Sequence, residues 1–201
     1  LRSQLGIIRR SAARAERLIR DLLDVTRIEN GQLRVERQPV PVAELLAEAA
    51  GMVATQARER GIALAVQAPD PAVTACGDRH RLLQALDNLL GNAVKFTPPG
   101  GSITVAAADD GAGVQFEVRD TGPGMTPAQQ ANLFRRFWQA RRVDRRGVGL
   151  GLSIVKGIVD AHGGQVTVQS DGRTGSTFCF SVPHRDPARE ARDPAALGAG
   201  G

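Results

Sequence analysis

Tyrosine is absent from this 201-residue chain, tryptophan occurs once, and aromatic residues make up only 3%. A core must therefore be packed from Leu, Val, Ile and Ala, which the 42% hydrophobic content supplies. The two cysteines, Cys76 and Cys179, lie far apart in no metal or redox spacing, which fits a reducing compartment. No apolar run approaches the length of a membrane span, and no signal peptide is visible. Lysine occurs only at 95 and 156, against 24 arginines. Six of those arginines fall between Arg135 and Arg146 beside one acid, Asp144, a local excess equal to the whole net charge of +5. So local a cluster fits a small anion or short acidic partner, or a solvated basic loop. It lacks the interleaved aromatics of a nucleic-acid face.

The most informative stretch runs from Asp87 to Thr97. Leu82, Leu83, Leu86, Leu89, Leu90, Ala93 and Val94 form a helical apolar stripe. Asp78 is a suitable N-cap, and Pro98-Pro99-Gly100-Gly101 stops the helix. Asn88 and Asn92 are four apart and share a face, with Lys95 nearly a turn beyond. Amide oxygens are hard ligands for magnesium, and a lysine ammonium is a point charge for phosphate. The alternative is a buried helix with a solvated polar face.

Along the chain, Leu1, Leu5, Ile8, Ala12, Ala15, Ile19 and Leu22 are spaced alternately four and three apart. This is a bundle-type seam, ended by Asn30-Gly31. The chain opens inside this helical pattern and not at Met, so it reads as a piece of a longer protein. A short strand is expected over Leu33–Arg37, broken by Pro39 and Pro41. A helix should span Val42–Arg60, a strand Ile62–Val66, and the central helix Arg79–Val94. Alternating runs at Ser102–Ala108 and Gly113–Arg119, joined by Asp109-Asp110-Gly111-Ala112, predict a hairpin. A short helix over Pro127–Phe137, a helix from Gly147-Val-Gly-Leu-Gly-Leu152 to His162, and strands at Gln165–Ser170 and Thr177–Val182 complete the pattern. Antiparallel pairs with helices between them argue for an α+β, two-layer sandwich: a mixed, mainly antiparallel sheet with helices on one face. The expected division is a bundle helix at 1–31, one domain at 32–184 and a disordered tail at 185–201.

Asp120-x-Gly122-x-Gly124 follows the hairpin. Its carboxylate can accept from an exocyclic amine such as that of adenine, with glycines allowing close approach; a plain Asp-Gly turn is the alternative. Gly147-x-Gly149-x-Gly151 opens a helix whose N-terminal amides suit phosphate, or forms the hinge of a lid. Neither a dinucleotide fingerprint nor a P-loop is present.

In the order Asn88-Leu-Leu-x-Asn92-Ala-x-Lys95-Phe96-Thr97, Asp120-x-Gly122-x-Gly124, Phe134-Arg-Arg-Phe137, Gly147-x-Gly149-Leu-Gly151-Leu152 and Gly175-Ser-Thr177, the chain resembles bacterial sensor histidine kinases. Asp21-Leu-Leu-Asp-Val-Thr-Arg-Ile-Glu-Asn-Gly31 is similar to the end of the second helix of their dimerisation and phosphotransfer domain. The resemblance spans roughly residues 1 to 183. It implies a Bergerat-type ATP fold, with Asn92 and Asn88 on magnesium and Lys95 on phosphate, these three serving the reaction. Phe96 stands where the family often has Tyr. The resemblance further implies Asp120 on the adenine amine with Gly122 and Gly124 beside it. Gly147, Gly149, Leu150 and Gly151 would lie at the phosphate end of a mobile lid over about Trp138–Val148, and Thr177 in the adenine-side network. It implies Mg2+ and ATP as ligands, a response-regulator receiver domain as partner, and a homodimer through the first helix. It implies no nucleic acid, and a cytoplasmic domain whose parent reaches the inner membrane only through upstream segments.

The family's phosphoacceptor histidine has no counterpart: His80-Arg, His162-Gly and His184-Arg do not resemble its box, and His162 lies instead in an Asp160-Ala-His-Gly-Gly segment like that at the end of the family's lid-following helix. An ATP-hydrolysing relative would carry Glu one turn before the magnesium Asn; Asn88 is there instead. A non-enzymatic dimerisation module with a degenerate site is the third reading, which the intact motifs oppose.

Overall fold

The computed structural model describes residues 2–138 and 148–184, with side chains of the first helix chiefly from Leu18 onward. The expected tail (185–201), Gly147 and nearly all of the expected lid lie outside the described residues. So do the side chains of Leu1, Leu5 and Ile8.

A five-stranded sheet is ordered β2 (Ala63–Gln67), β4 (Ser102–Asp109), β5 (Gly113–Asp120), β7 (Ser176–Pro183), β6 (Val166–Ser170). Only β2 and β4 run parallel. The alternation legible in the sequence sets the two faces: Ile103 and Val105, Val114, Phe116 and Val118, and Phe178, Phe180 and Val182 all turn inward and are buried. Phe116 and Phe180 stack across β5 and β7 with centroids 4.7 Å apart. Helices α2 (Val42–Glu59), α3 (Arg79–Phe96) and α5 (Gly151–Ala161) cover this face. The α+β two-layer expectation holds.

Three local expectations are corrected. Residues 33–37 form no strand; β1 is Gln38–Pro41 and contains both prolines. It pairs antiparallel with β3 (Thr74–Gly77), a strand the composition did not signal. Val42 N–H donates to Val73 O, so Pro39 and Pro41 fall at the alternate, non-bonded positions, where a missing N–H costs nothing. The helix expected over Pro127–Phe137 is one turn, α4 (Pro127–Gln130), with Thr126 and Gln129 forming a capping box. Beyond it the chain runs through turns to Phe137, held at φ 57°.

Helix α1 (Arg2–Glu29) ends at Gly31 in the left-handed conformation. Its last turns are not separate from the domain. Val25 is buried, and Ile28 fills the notch left by Gly157 on α5, where an added Cβ would sit 2.5 Å from its Cδ1. Ile19, Leu22 and Leu23 stay exposed.

Candidate functional site

Helix α3 begins as its sequence dictates. The Asp78 carboxylate accepts from Arg81 N–H at 3.1 Å, and Leu82, Leu86, Leu89 and Leu90 face the core. Asn88 is 8% exposed; its Nδ2 donates to Gln84 O at 3.0 Å. Its Oδ1 thereby turns toward the first residue of α5, so that a Cβ on Gly151 would lie 2.8 Å away. Asn92 and Lys95 are half-buried further along. Lys95 Nζ lies 4.6 Å from the centroid of Phe96, a ring that is 48% exposed. The turn bearing Lys95 and Phe96 is tied by Arg60, whose guanidinium donates to Val94 O and, at 3.3 Å, to Thr97 O. Sequence reading passed over Arg60, because the helix end it caps is reached from α2 through space.

Asp120 is the last residue of β5 and continues the inward row Val114, Phe116, Val118, so its carboxylate is only 7% exposed. Burial pushes its pKa up from the ordinary carboxylate value, while amides of Gly122 and Ser176 bonded to it pull the other way. Gly122 N–H donates to Oδ1 at 2.7 Å. A Cβ at Gly122 would meet that oxygen at 2.6 Å and Phe96 O at 3.3 Å, which sets the Asp120 loop against the end of α3. The structure thus brings together Asp120, Gly122 and Phe96 at one end of the site, and Asn88 and Gly151 at the other.

Other expected residues stand differently. Gly124, at φ 70°, is needed for the chain's own packing: a Cβ there would lie 2.8 Å from Arg173 N. Leu150 is a core side chain. Gly149, at φ 78°, accepts at its carbonyl from Phe137 N–H (2.9 Å). Thr177 points to the open face of the sheet, where its Oγ1 accepts from Arg119 Nε at 3.3 Å. The neighbour of Asp120 is Ser176, its register partner on β7. A one-residue step on a strand changes face, and the strand beginning expected at Thr177 hid this. Ser170 and Gln130 also went unread. Ser170 Oγ holds Met125 N–H and Gly175 O, and Gln130 Nε2 donates to Met125 O and Ser170 O, sewing the loop after Asp120 to β6 and β7.

None of the three histidines lies at this site as an acceptor. His80 is exposed on the first turn of α3, and His184 contacts Asp109. His162 is fully buried, with Nδ1 donating to Ile158 O (2.8 Å) and Nε2 accepting from Asp78 N–H (3.0 Å). Among the described residues no group of three His, Cys, Asp or Glu could hold a metal, and no helix is long and apolar enough to cross a membrane.

A helix-covered mixed sheet, with a buried strand-end carboxylate facing a helix that carries paired amides and a lysine, defines an α+β sandwich of the Bergerat type. Residues 77–186 match the family described as histidine kinase-, DNA gyrase B- and HSP90-like ATPase. The sensor protein DivL of Caulobacter vibrioides is 37% identical over 182 residues, which is 90% of this chain and 23% of DivL. Full-length ShkA in complex with AMPPNP superposes with a TM-score of 0.79 at 37% identity, covering 90% of this chain and 38% of ShkA. The mycobacterial sensor histidine kinase MprB superposes at 0.64 with 30% identity, covering 75% of this chain and 99% of that one. The chain belongs to this ATPase family, as an ATP-binding domain of the sensor histidine kinase type. It spans 23% and 35% of the lengths of DivL and of a sensor-like histidine kinase of Rhizobium meliloti.

Proposed function

We propose that this chain binds Mg-ATP between α3 and the Asp120 loop, as the ATP-binding part of a protein-histidine kinase in two-component signalling. The observation that carries the reading is Asp120: a carboxylate kept nine-tenths buried at a strand end, oriented by two backbone amides, has the acceptor geometry an adenine amine requires. Gly122 keeps that carboxylate unobstructed, and Phe96 forms an exposed edge beside it. Lys95 holds phosphate oxygens. The Oδ1 atoms of Asn88 and Asn92 are the hard oxygen donors that would hold a magnesium ion. Bound magnesium supplies charge neutralisation at the phosphates. Amides at the start of α5 orient the phosphate chain.

In the reaction of the parent, a histidine nitrogen attacks the γ-phosphorus. A P–N bond forms, the bond to the β-phosphate oxygen breaks, and ADP departs. The phosphoryl group then passes to an aspartate carboxylate of a response-regulator receiver domain, with the histidine restored. The chain's residues contribute positioning and electrostatics, which dominate phosphoryl transfer. Water attack is disfavoured, because the amide of Asn88 cannot take a proton. The exposed Ile19, Leu22 and Leu23 are the face through which α1 would join a homodimer of the parent. Titration calorimetry tests the site: Asn92→Ala should abolish the magnesium dependence of ATP affinity, and an unchanged dependence removes Asn92 as a ligand.

A further inference from the structure

The metal-side amide is connected to α1 by a continuous set of contacts. Asp24, on α1, is 6% exposed. Its Oδ1 accepts from Arg81 Nη1 at 2.9 Å and its Oδ2 from Gln84 Nε2 at 2.7 Å, so both carboxylate oxygens are used. Arg81 Nη1 also donates to Gln84 Oε1 at 2.8 Å, closing a three-residue ring. Gln84 in turn accepts at its main-chain carbonyl from Asn88 Nδ2, the bond that turns Asn88 Oδ1 toward Gly151. Residues 81, 84, 88, 92 and 95 follow a three-four-four-three spacing, a single polar stripe along α3 whose upper members face α1 and whose lower members face the site. Helix α1 also touches the other wall: Ile28 sits against Gly157 of α5, and Glu29 pairs with Arg136.

We infer that Asp24 is a positioning residue for the metal-side amide: the docked position of α1, registered by the Asp24–Arg81–Gln84 ring, sets the orientation of Asn88 and its distance from Gly151. The inference rests on the proposed metal role of Asn88. The arrangement is two-state for a physical reason. With Asp24 in place the Arg81 charge is paired out of water; with α1 turned by one residue, about 100°, Asp24 leaves and Arg81 is left without its partner. A partly shifted α1 is therefore the least favourable position, and the pair favours α1 either docked or fully withdrawn. Linkage then requires that magnesium–nucleotide binding and α1 docking strengthen each other by the same factor.

The test is a double-mutant cycle in the full chain with Asp24→Asn and Asn88→Ala, reading ATP affinity with and without magnesium by calorimetry. Hydrogen exchange of residues 20–29 is followed in parallel. The expected result is that Asp24→Asn weakens Mg-ATP binding about fivefold or more while leaving magnesium-free ATP within about twofold. This loss should vanish in the Asn88→Ala background, and Mg-ATP should slow exchange in α1 of the wild type but not of Asp24→Asn. Equal losses with and without magnesium, or additive effects in the cycle, would make Asp24 merely structural and overturn the inference alone. Unchanged magnesium dependence in Asn88→Ala would remove the metal role of Asn88, and the inference with it. If Asp24→Asn does not fold, Gln84→Met removes the side-chain amide and keeps the backbone carbonyl, and the same magnesium-selective loss is required of it.

Discussion

Asp120→Asn separates binding from stability, because the same carboxylate acts on the two with opposite sign. In the free protein the ionised group is buried, and desolvation outweighs the two amides bonded to it. Its folded pKa is thus above the unfolded value, so ionising it opposes folding above that raised pKa. An asparagine of the same shape relieves this. Its Oδ1 can keep the Gly122 N–H bond, which leaves Nδ2, a donor, facing where an adenine amine would donate. Losing a hydrogen bond to a charged acceptor in a dry site costs about 1.5–3 kcal/mol, roughly a 10- to 150-fold rise in Kd. Calorimetry with Mg-ATP and thermal unfolding of the same samples read the two effects. The expected outcome is a large loss of affinity with a melting temperature unchanged or raised. Wild-type affinity should also fall on acidification through the pKa of Asp120, which is raised from its ordinary value, and Asp120→Asn should lack that step. Equal affinities for the two proteins, or a lowered melting temperature that accounts for the loss, would refute the role given to Asp120.

Four further outcomes follow from the same geometry. His162→Ala should destabilise by about 2–4 kcal/mol, since it opens a cavity and strands the Asp78 amide; denaturant titration measures this. Burial lowers the pKa of His162, so its contribution is complete above the unfolded value near 6.5 and is lost as pH falls toward the folded pKa. His162→Gln should flatten that slope in unfolding curves taken across the window. Gly175→Ala, at φ 114° and with its Cβ 1.9 Å from Asp120 O, should cost at least about 2 kcal/mol and displace Asp120, seen as joint loss of stability and ATP affinity. With γ-labelled ATP the chain alone should acquire no acid-labile phosphate, because His162 is buried and His80 and His184 lie outside the site; label at any of the three would contradict the assignment.

Much of this was legible in the chain itself. The period-two rows of β4, β5 and β7 and the period-3.6 stripe of α3 announce their faces directly, and Asp120 inherits its burial from the row it ends. What the sequence hid depends on partners distant along the chain. β1 and β3 are too short and too irregular to signal alone, and the prolines of β1 are tolerated only because their register puts both off the ladder. Ser176 displaced Thr177 beside Asp120 through a single step of strand parity. Arg60 and Asp24 look like ordinary charges on amphipathic helices until folding sets them against α3. The docking of the α1 end was likewise hidden, because its seam pattern is that of a helix awaiting another helix and says nothing of Ile28 and Gly157.

The bond between His162 and Asp78 has a mechanical consequence. Helices α3 and α5 run antiparallel, and the imidazole fastens the start of one to the end of the other. With that end fixed, a change in spacing between Asn88 and Gly151 is a rotation about a pivot at His162. Ten residues of helix give a lever arm of about 15 Å, so a swing of only about 4° moves the amide and the glycine apart by about 1 Å. A buried histidine at the far end of the helix pair is therefore one of the contacts that define the spacing between Asn88 and Gly151.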